Sequence, residues 1–141
     1  MDWTINAMTM ADYDDVLALW KASEGVGLSE ADSPAGIARF LERNPGLAFT
    51  ARTGGQVVGA VLCGDDGRRG YLHHLAVAAA FRRQGLGQEL VERCLDALRR
   101  RGVRKCHIFV YAANTEGMRF WERIAYKARK DLVIMSREIE A

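Results

Sequence analysis

Apolar positions along the chain change spacing from one segment to the next, and each spacing predicts an element. WTINAM alternates as a short first strand does. Thr9 then stands where a helix cap is expected, and Tyr13, Val16, Leu17 and Trp20 share one helical face. ASEGVGLSEAD has no period and reads as a loop, after which Ser33 and Pro34 supply the cap and first turn of a second helix. Asn44, Pro45 and Gly46 end that helix.

The middle of the chain turns to β-prone runs. LAFTAR and QVVGAVLCG, joined by Gly54-Gly55, predict an antiparallel hairpin, and GDDGRRG predicts a further turn before the strand YLHHLAV. Helical spacing resumes from about Gln88 to Arg101, with Leu90, Val91, Cys94, Leu95 and Leu98 on one face. Arg99, Arg100 and Arg101 suit the negative end of this helix, and Gly102 can stop it. VRKCHIFVY then predicts a strand parallel to YLHHLAV, because a helix separates the two. TEGMRFWERIA predicts a short helix, and residues from Lys127 to Ile139 predict a last extended segment returning to the sheet. The order of elements describes one α/β domain over residues 1–141: a mixed, mostly antiparallel sheet with one parallel pair of strands and helices on both faces.

Composition narrows this picture only a little. With 141 residues, 49% apolar and 27% charged, the chain is long enough for one sizeable core, and a net charge of +2 is too mild to argue for nucleic acid by itself. Cys63, Cys94 and Cys106 are widely spaced and contain no C-x-x-C pair, which favours a reducing cytoplasm over a disulfide or zinc framework. MDWTINAMTMADYDD has early acids and no continuous apolar stretch, so it reads as neither a signal peptide nor a membrane anchor. Asp65 and Asp66 fit a turn, and nothing near them completes a metal site.

Candidate chemistry concentrates in RRQGLG, residues 82–87, between a strand and a helix. Gly85 and Gly87 allow close approach of a ligand to the backbone, and a helix start directs free N–H groups at an anion, with Arg82 and Arg83 beside it. A tight turn with solvated arginines is the other reading of the same residues. The loop ends Gly87-Gln88-Glu89, without the lysine and hydroxyl of a P-loop. Leu90 stands where a dinucleotide fingerprint needs a small residue, and no acid stands about 20 residues further on.

The motif and its flanks resemble the GNAT superfamily of acyl-CoA-dependent N-acetyltransferases. Arg82-Arg83-Gln84-Gly85-Leu86-Gly87 is similar to that family's Q/R-x-x-G-x-G/A pyrophosphate loop, with Leu75-Ala76-Val77 as the preceding strand end. Asn114, Gly117, Phe120 and Glu122 resemble a degenerate form of its later helix motif. The resemblance implies a GNAT-like sheet whose parallel central strands splay apart, and acetyl-CoA or another short acyl-CoA as donor, without a metal. It implies that amides from Gln84 to Gln88 hold the pyrophosphate, that Asn114 belongs to the cofactor site, and that backbone N–H groups near Leu75, Ala76 and Val77 hold the pantetheine arm.

The implied reaction is direct attack by a neutral amine, which needs a base and a proton donor for the departing thiolate. His73 is the candidate base; a half-buried strand histidine with a water relay is the alternative. Strict alternation places Tyr71, His73, Leu75 and Val77 on one face and His74 on the other, so the two histidines are not expected to share a site. Trp121 occupies the position where many family members carry the acidic tyrosine, and an indole N–H is no general acid. Tyr111 and Tyr126 are the replacement candidates, although Tyr126 also suits a core position. Cys106 reads as a packed thiol rather than a nucleophile. Trp20, Glu24, Glu30 and Asp32 are candidates for an acceptor pocket that takes a small-molecule or peptide amine. A non-catalytic acyl-CoA sensor is the alternative function, whereas nucleic-acid binding is disfavoured because the arginines bracket one helix rather than line a stripe. Monomer and homodimer both remain open, and no membrane partner is expected.

Overall fold

A computed structural model describes residues 2–141. Strand β1 (Thr4–Ala7) is followed by helix α1 (Tyr13–Lys21), which begins behind a capping box formed by Thr9 and Asp12. Helix α2 (Pro34–Arg43) begins as its sequence predicts, with the Ser33 hydroxyl accepting from the Gly36 N–H at 3.1 Å and Pro34 in the first turn. Strands β2 (Phe49–Thr53) and β3 (Gln56–Asp65) form the hairpin across Gly54 and Gly55, both at positive φ as a tight two-residue turn requires. Strand β4 (Gly70–Val77), helix α3 (Leu86–Arg100), strand β5 (Cys106–Ile108) and helix α4 (Thr115–Arg123) complete the order.

The five strands lie in sequence order, antiparallel throughout except for the parallel pair β4–β5. Helices α1 and α2 cover one face, where Val16, Trp20 and Ile37 meet Ala60, Leu62 and Ala76. Helix α3 covers the other with Leu86, Leu90, Val91, Cys94 and Leu98, and Phe120, Trp121 and Ile124 of the α4 region pack at its border. Long apolar runs in β3 follow from this, because a strand covered on both faces has no solvent side to alternate towards. Each fully buried Leu or Val contributes about 1.5–3 kcal/mol, so the two helical layers fix the sheet between them.

Two expectations need correction. Strand β5 has only three residues, because its last pairing is Ile108 with Leu72 and the chain then diverges from β4. Residues 127–141 form no helix or strand and, apart from a turn at Lys130–Asp131, no regular structure; they do not return to the sheet, and β5 is therefore an edge. Alternation gives a segment the capacity to be a strand; it does not specify which edge the strand will pair with.

Candidate active site

The glycine loop shows two different uses of glycine. Gly85 caps α3 with φ of +88°, and a Cβ built there would meet nothing within 4 Å. Its conformation, rather than crowding, requires glycine, and no side chain caps the helix. The N–H groups of the first turn are consequently free to meet an anion. Gly87 already lies within α3, where a Cβ would stand 3.3 Å from Phe120 of α4; here glycine permits close packing. The helix starts at Leu86, two residues earlier than apolar periodicity indicates, because its first turn is selected by the αL cap and not by a buried face. Arg82 turns back, donating from Nε to the Val77 carbonyl at 3.0 Å, and Gln84 donates to the Ala80 carbonyl at 3.2 Å. Arg83 is exposed, with a positive φ of 60°.

Strand β4 connects this cradle to the second part of the site. Leu62 pairs with His73 and Ala60 with Ala76, leaving Val61 opposite both His74 and Leu75. This is a β-bulge, and His74 takes it up at φ of 55°. The extra residue breaks the alternation, so His73 and His74 line the same cavity, contrary to the expectation of opposite faces. On the other side, pairing with β5 stops at Leu72, so the edge from His73 to Val77, which includes Leu75 and Ala76, has no neighbouring strand. Alternate backbone groups along it face the opening, and the Val77 carbonyl is already taken by Arg82.

The cavity, about 280 Å³, lies between the bulge and the α1–α2 connection and is bordered by Gly27, Ser29, Asp32, Phe40, His73 and His74. The ring of His73 meets that of Phe40 edge-on at 6.1 Å and stacks against Phe109 at 6.2 Å. Burial between these apolar rings pushes its pKa below the ordinary imidazole value; neighbouring His74 adds to the effect and Asp32 opposes it. His73 is therefore a neutral imidazole near pH 7, able to accept a proton.

His74 is held in a buried polar cluster. Its Nε2 lies 3.0 Å from Asp32 Oδ1, while Asp32 Oδ2 accepts from the Ser29 N–H at 3.1 Å. The Tyr13 hydroxyl donates to the Asp32 carbonyl at 2.6 Å, and Trp20 Nε1–H donates to the His74 carbonyl at 3.0 Å. These contacts satisfy a carboxylate that would otherwise be costly to bury, and they hold the bulge in place. Of the four acceptor-pocket candidates, Asp32 reaches the cavity, Trp20 is buried behind it, and Glu24 and Glu30 are exposed.

The two tyrosines separate. Tyr111 brings its hydroxyl against Gly27 at the cavity border, where an added Cβ would overlap it. Tyr126 belongs instead to the core on the α3 side, with its ring 5.0 Å from that of Trp121. Burial raises its pKa well above the usual phenol range, with the Cys106 thiol contributing next. Cys106 is itself pushed up to about 11, mainly by burial, and so remains a protonated packed thiol. Asn114 caps α4, accepting from the Gly117 N–H at 2.9 Å, and lies beside Gly25 of the α1–α2 connection. Asp66 accepts from the N–H groups of Arg68 and Arg69 in the predicted turn, and Asp65 pairs with Arg101 at 2.8 Å.

Known proteins carry the same architecture. An acetyltransferase of Pectobacterium atrosepticum is 30% identical over 129 residues, covering 92% of this chain and 91% of that protein. The crystal structure of PaiA N-acetyltransferase from Thermoplasma acidophilum in complex with coenzyme A matches with a TM-score of 0.79 at 16% identity, over 92% of both chains. That of AAC(6')-Iy, in complex with a bisubstrate analogue of CoA and acetylneamine, also gives 0.79, at 15% identity, over 99% of this chain and 100% of the other. The profile of the acetyltransferase (GNAT) family matches residues 13–126, which span the α1–α2 connection, the bulged strand, the glycine loop and helix α4. With that match and the close relative in agreement, the chain belongs to the GNAT family of acetyltransferases.

Proposed function

We propose that this protein transfers an acetyl group from acetyl-CoA to a primary amine, with both substrates bound together and the amine attacking directly. One observation carries the reading: the cavity bordered by His73, the unpaired edge of β4 and the amide cradle at Gly85 follow one another along a single stretch of chain. Acetyl-CoA, when bound, supplies an acyl group activated as a thioester. Amides from Gln84 to Gln88 hold its pyrophosphate, with Arg82 and Arg83 nearby, and backbone N–H groups of the unpaired edge near Leu75, Ala76 and Val77 hold the arm and polarise the carbonyl. Asn114 supports this site through its cap on α4.

The acceptor enters the cavity as an ammonium and loses a proton to neutral His73. His74 and Asp32 fix the bulge that aims His73, and Tyr111, at the border, donates a proton to the departing sulfur. Tyr126 is not assigned a proton transfer, since its phenol is enclosed beside Cys106. A cavity of about 280 Å³ suits a small amine or the amine-bearing end of a peptide.

Acetyl-CoA titration followed by thiol release with a panel of amines tests this reading. Binding should be measurable and at least one small amine should turn over. Gly85→Asp places a side chain and a negative charge in the cradle and should weaken acetyl-CoA binding by roughly tenfold or more. No acetyl-CoA binding by the folded protein overturns the donor assignment, and binding without turnover of any amine overturns the reaction.

A further inference from the structure

The cavity beside the β-bulge keeps its charge in one corner and is walled elsewhere by hydrocarbon. Among the described residues that border it, Asp32 is the one acid, and both of its carboxylate oxygens are engaged: Oδ1 lies 3.0 Å from His74 Nε2, and Oδ2 accepts from the Ser29 N–H at 3.1 Å. The His74 ring is braced from behind by Trp20, edge-on with centroids 5.0 Å apart, so this pair has little freedom to turn towards a ligand. The walls are Ile37 and Leu62, both buried, and half-buried Phe40, whose ring meets that of His73. Glu24 and Glu30 are exposed and do not border the cavity.

We propose that the acceptor is a small primary monoamine with a hydrocarbon body, and that Ile37, Phe40 and Leu62 select it. The inference rests on the acetyl transfer proposed above and names its substrate class. The reacting nitrogen gives its proton to His73, so it is neutral when it attacks. A second ammonium on the same molecule has no such exit. It would leave water among Ile37, Phe40 and Leu62, and a buried charge is costly unless it is paired and hydrogen-bonded. Asp32 does not supply the pair, because its oxygens already hold His74 and the Ser29 amide, and drawing one away would release contacts that fix the bulge. A peptide backbone meets the same walls with N–H and C=O groups for which three hydrocarbon side chains offer no partner. An alkyl body has the opposite balance, since it leaves water and gains contact with those side chains. Selection therefore works mainly by exclusion of additional charge.

Rates of thiol release at saturating acetyl-CoA test this with three amines of one chain length: butylamine, its diamine counterpart with a second terminal amine, and its amino-alcohol counterpart with a terminal hydroxyl. The expected kcat/KM falls in the order butylamine, amino alcohol, diamine, by about tenfold for the hydroxyl and about 10²-fold for the second ammonium. Phe40→Glu gives that ammonium a counter-charge and should raise the diamine to the level of butylamine or above it. Ala31→Glu introduces the carboxylate at an exposed position of the cavity border, and should move the ratio the same way even if Phe40→Glu loses its fold. The readout is the ratio of two amines within one protein, which a general loss of activity does not change. A diamine or a short peptide used as well as butylamine by the unaltered protein overturns the monoamine assignment and leaves acetyl transfer standing. A ratio unmoved in both glutamate variants overturns the role given to the walls. Acetyl-CoA binding without turnover of any amine removes the reaction itself, and this inference with it.

Discussion

The two regions assigned to donor and acceptor in the proposed function are built from different materials. On the donor side the chemistry belongs to the backbone: a left-handed Gly85, the first turn of α3 and the unpaired edge of β4. On the acceptor side it belongs to residues brought from distant segments, with Asp32, His73 and Gly27 around one cavity and the Tyr111 hydroxyl against Gly27. A backbone site tolerates side-chain change and fails when its conformation fails. A side-chain site should behave in the opposite way, and substitutions on the two sides test this contrast.

The largest effect is expected at His73. His73→Ala should lower kcat/KM by about 10²–10⁴-fold, the range for loss of a general base. Burial lowers the pKa of His73, so the neutral form persists below the ordinary imidazole value of 6.5. The wild-type rate should therefore be flat through pH 7 and fall only as acid protonates His73 below 6.5, and the variant should lack that acid limb. An unchanged limb in His73→Ala would assign the ionisation to another group and remove the main catalytic side chain from the acceptor half.

This contrast also explains what could be read from the amino-acid order. The strand, glycine turn and helix of the proposed donor site were legible because their determinants are contiguous: RRQGLG and its flanks lie within one short stretch. Helix caps at Thr9 and Ser33 and the hairpin at Gly54-Gly55 were legible for the same reason. The acceptor half was not, because a β-bulge at His74 depends on what Val61 does in a neighbouring strand, and a single inserted residue reverses which side chains share a face. The Tyr111–Gly27 approach spans two loops and has no local signature at all. Residues 127–141 failed for a third reason: their strand pattern is clear, but the partner edge is a property of the assembled sheet.

Tyr111 sharpens the comparison within the acceptor half. Tyr111→Phe removes the proposed proton donor without changing the ring and should lower kcat by about 10²-fold, with acetyl-CoA affinity unchanged. Gly27→Ala should act through the same hydroxyl, since its new methyl would occupy that position and push the ring aside, lowering kcat by about tenfold. Combined in one protein, the two changes should cost little more than Tyr111→Phe alone, because they remove one interaction between them. Full additivity would mean that Gly27 shapes the cavity independently and that the hydroxyl has no role at that border.

The smallest effect is expected from the arginine that looks most functional in the sequence. Arg82 opens the glycine motif, yet its Nε is committed to the Val77 carbonyl and its side chain is exposed. An exposed polar contact of this kind contributes about 0.2–1 kcal/mol, so Arg82→Ala should weaken acetyl-CoA binding by less than about fivefold. The amides of the first turn of α3 remain in place in that variant, and they are the groups that meet the pyrophosphate in the donor assignment. Titration at two salt concentrations separates the contributions: screening should shrink the Arg82 effect while the residual affinity, supplied by short-range amide contacts, persists. A loss comparable to that of Gly85→Asp would transfer the donor site from backbone to side chain, and the distinction between the two halves of the cleft would disappear.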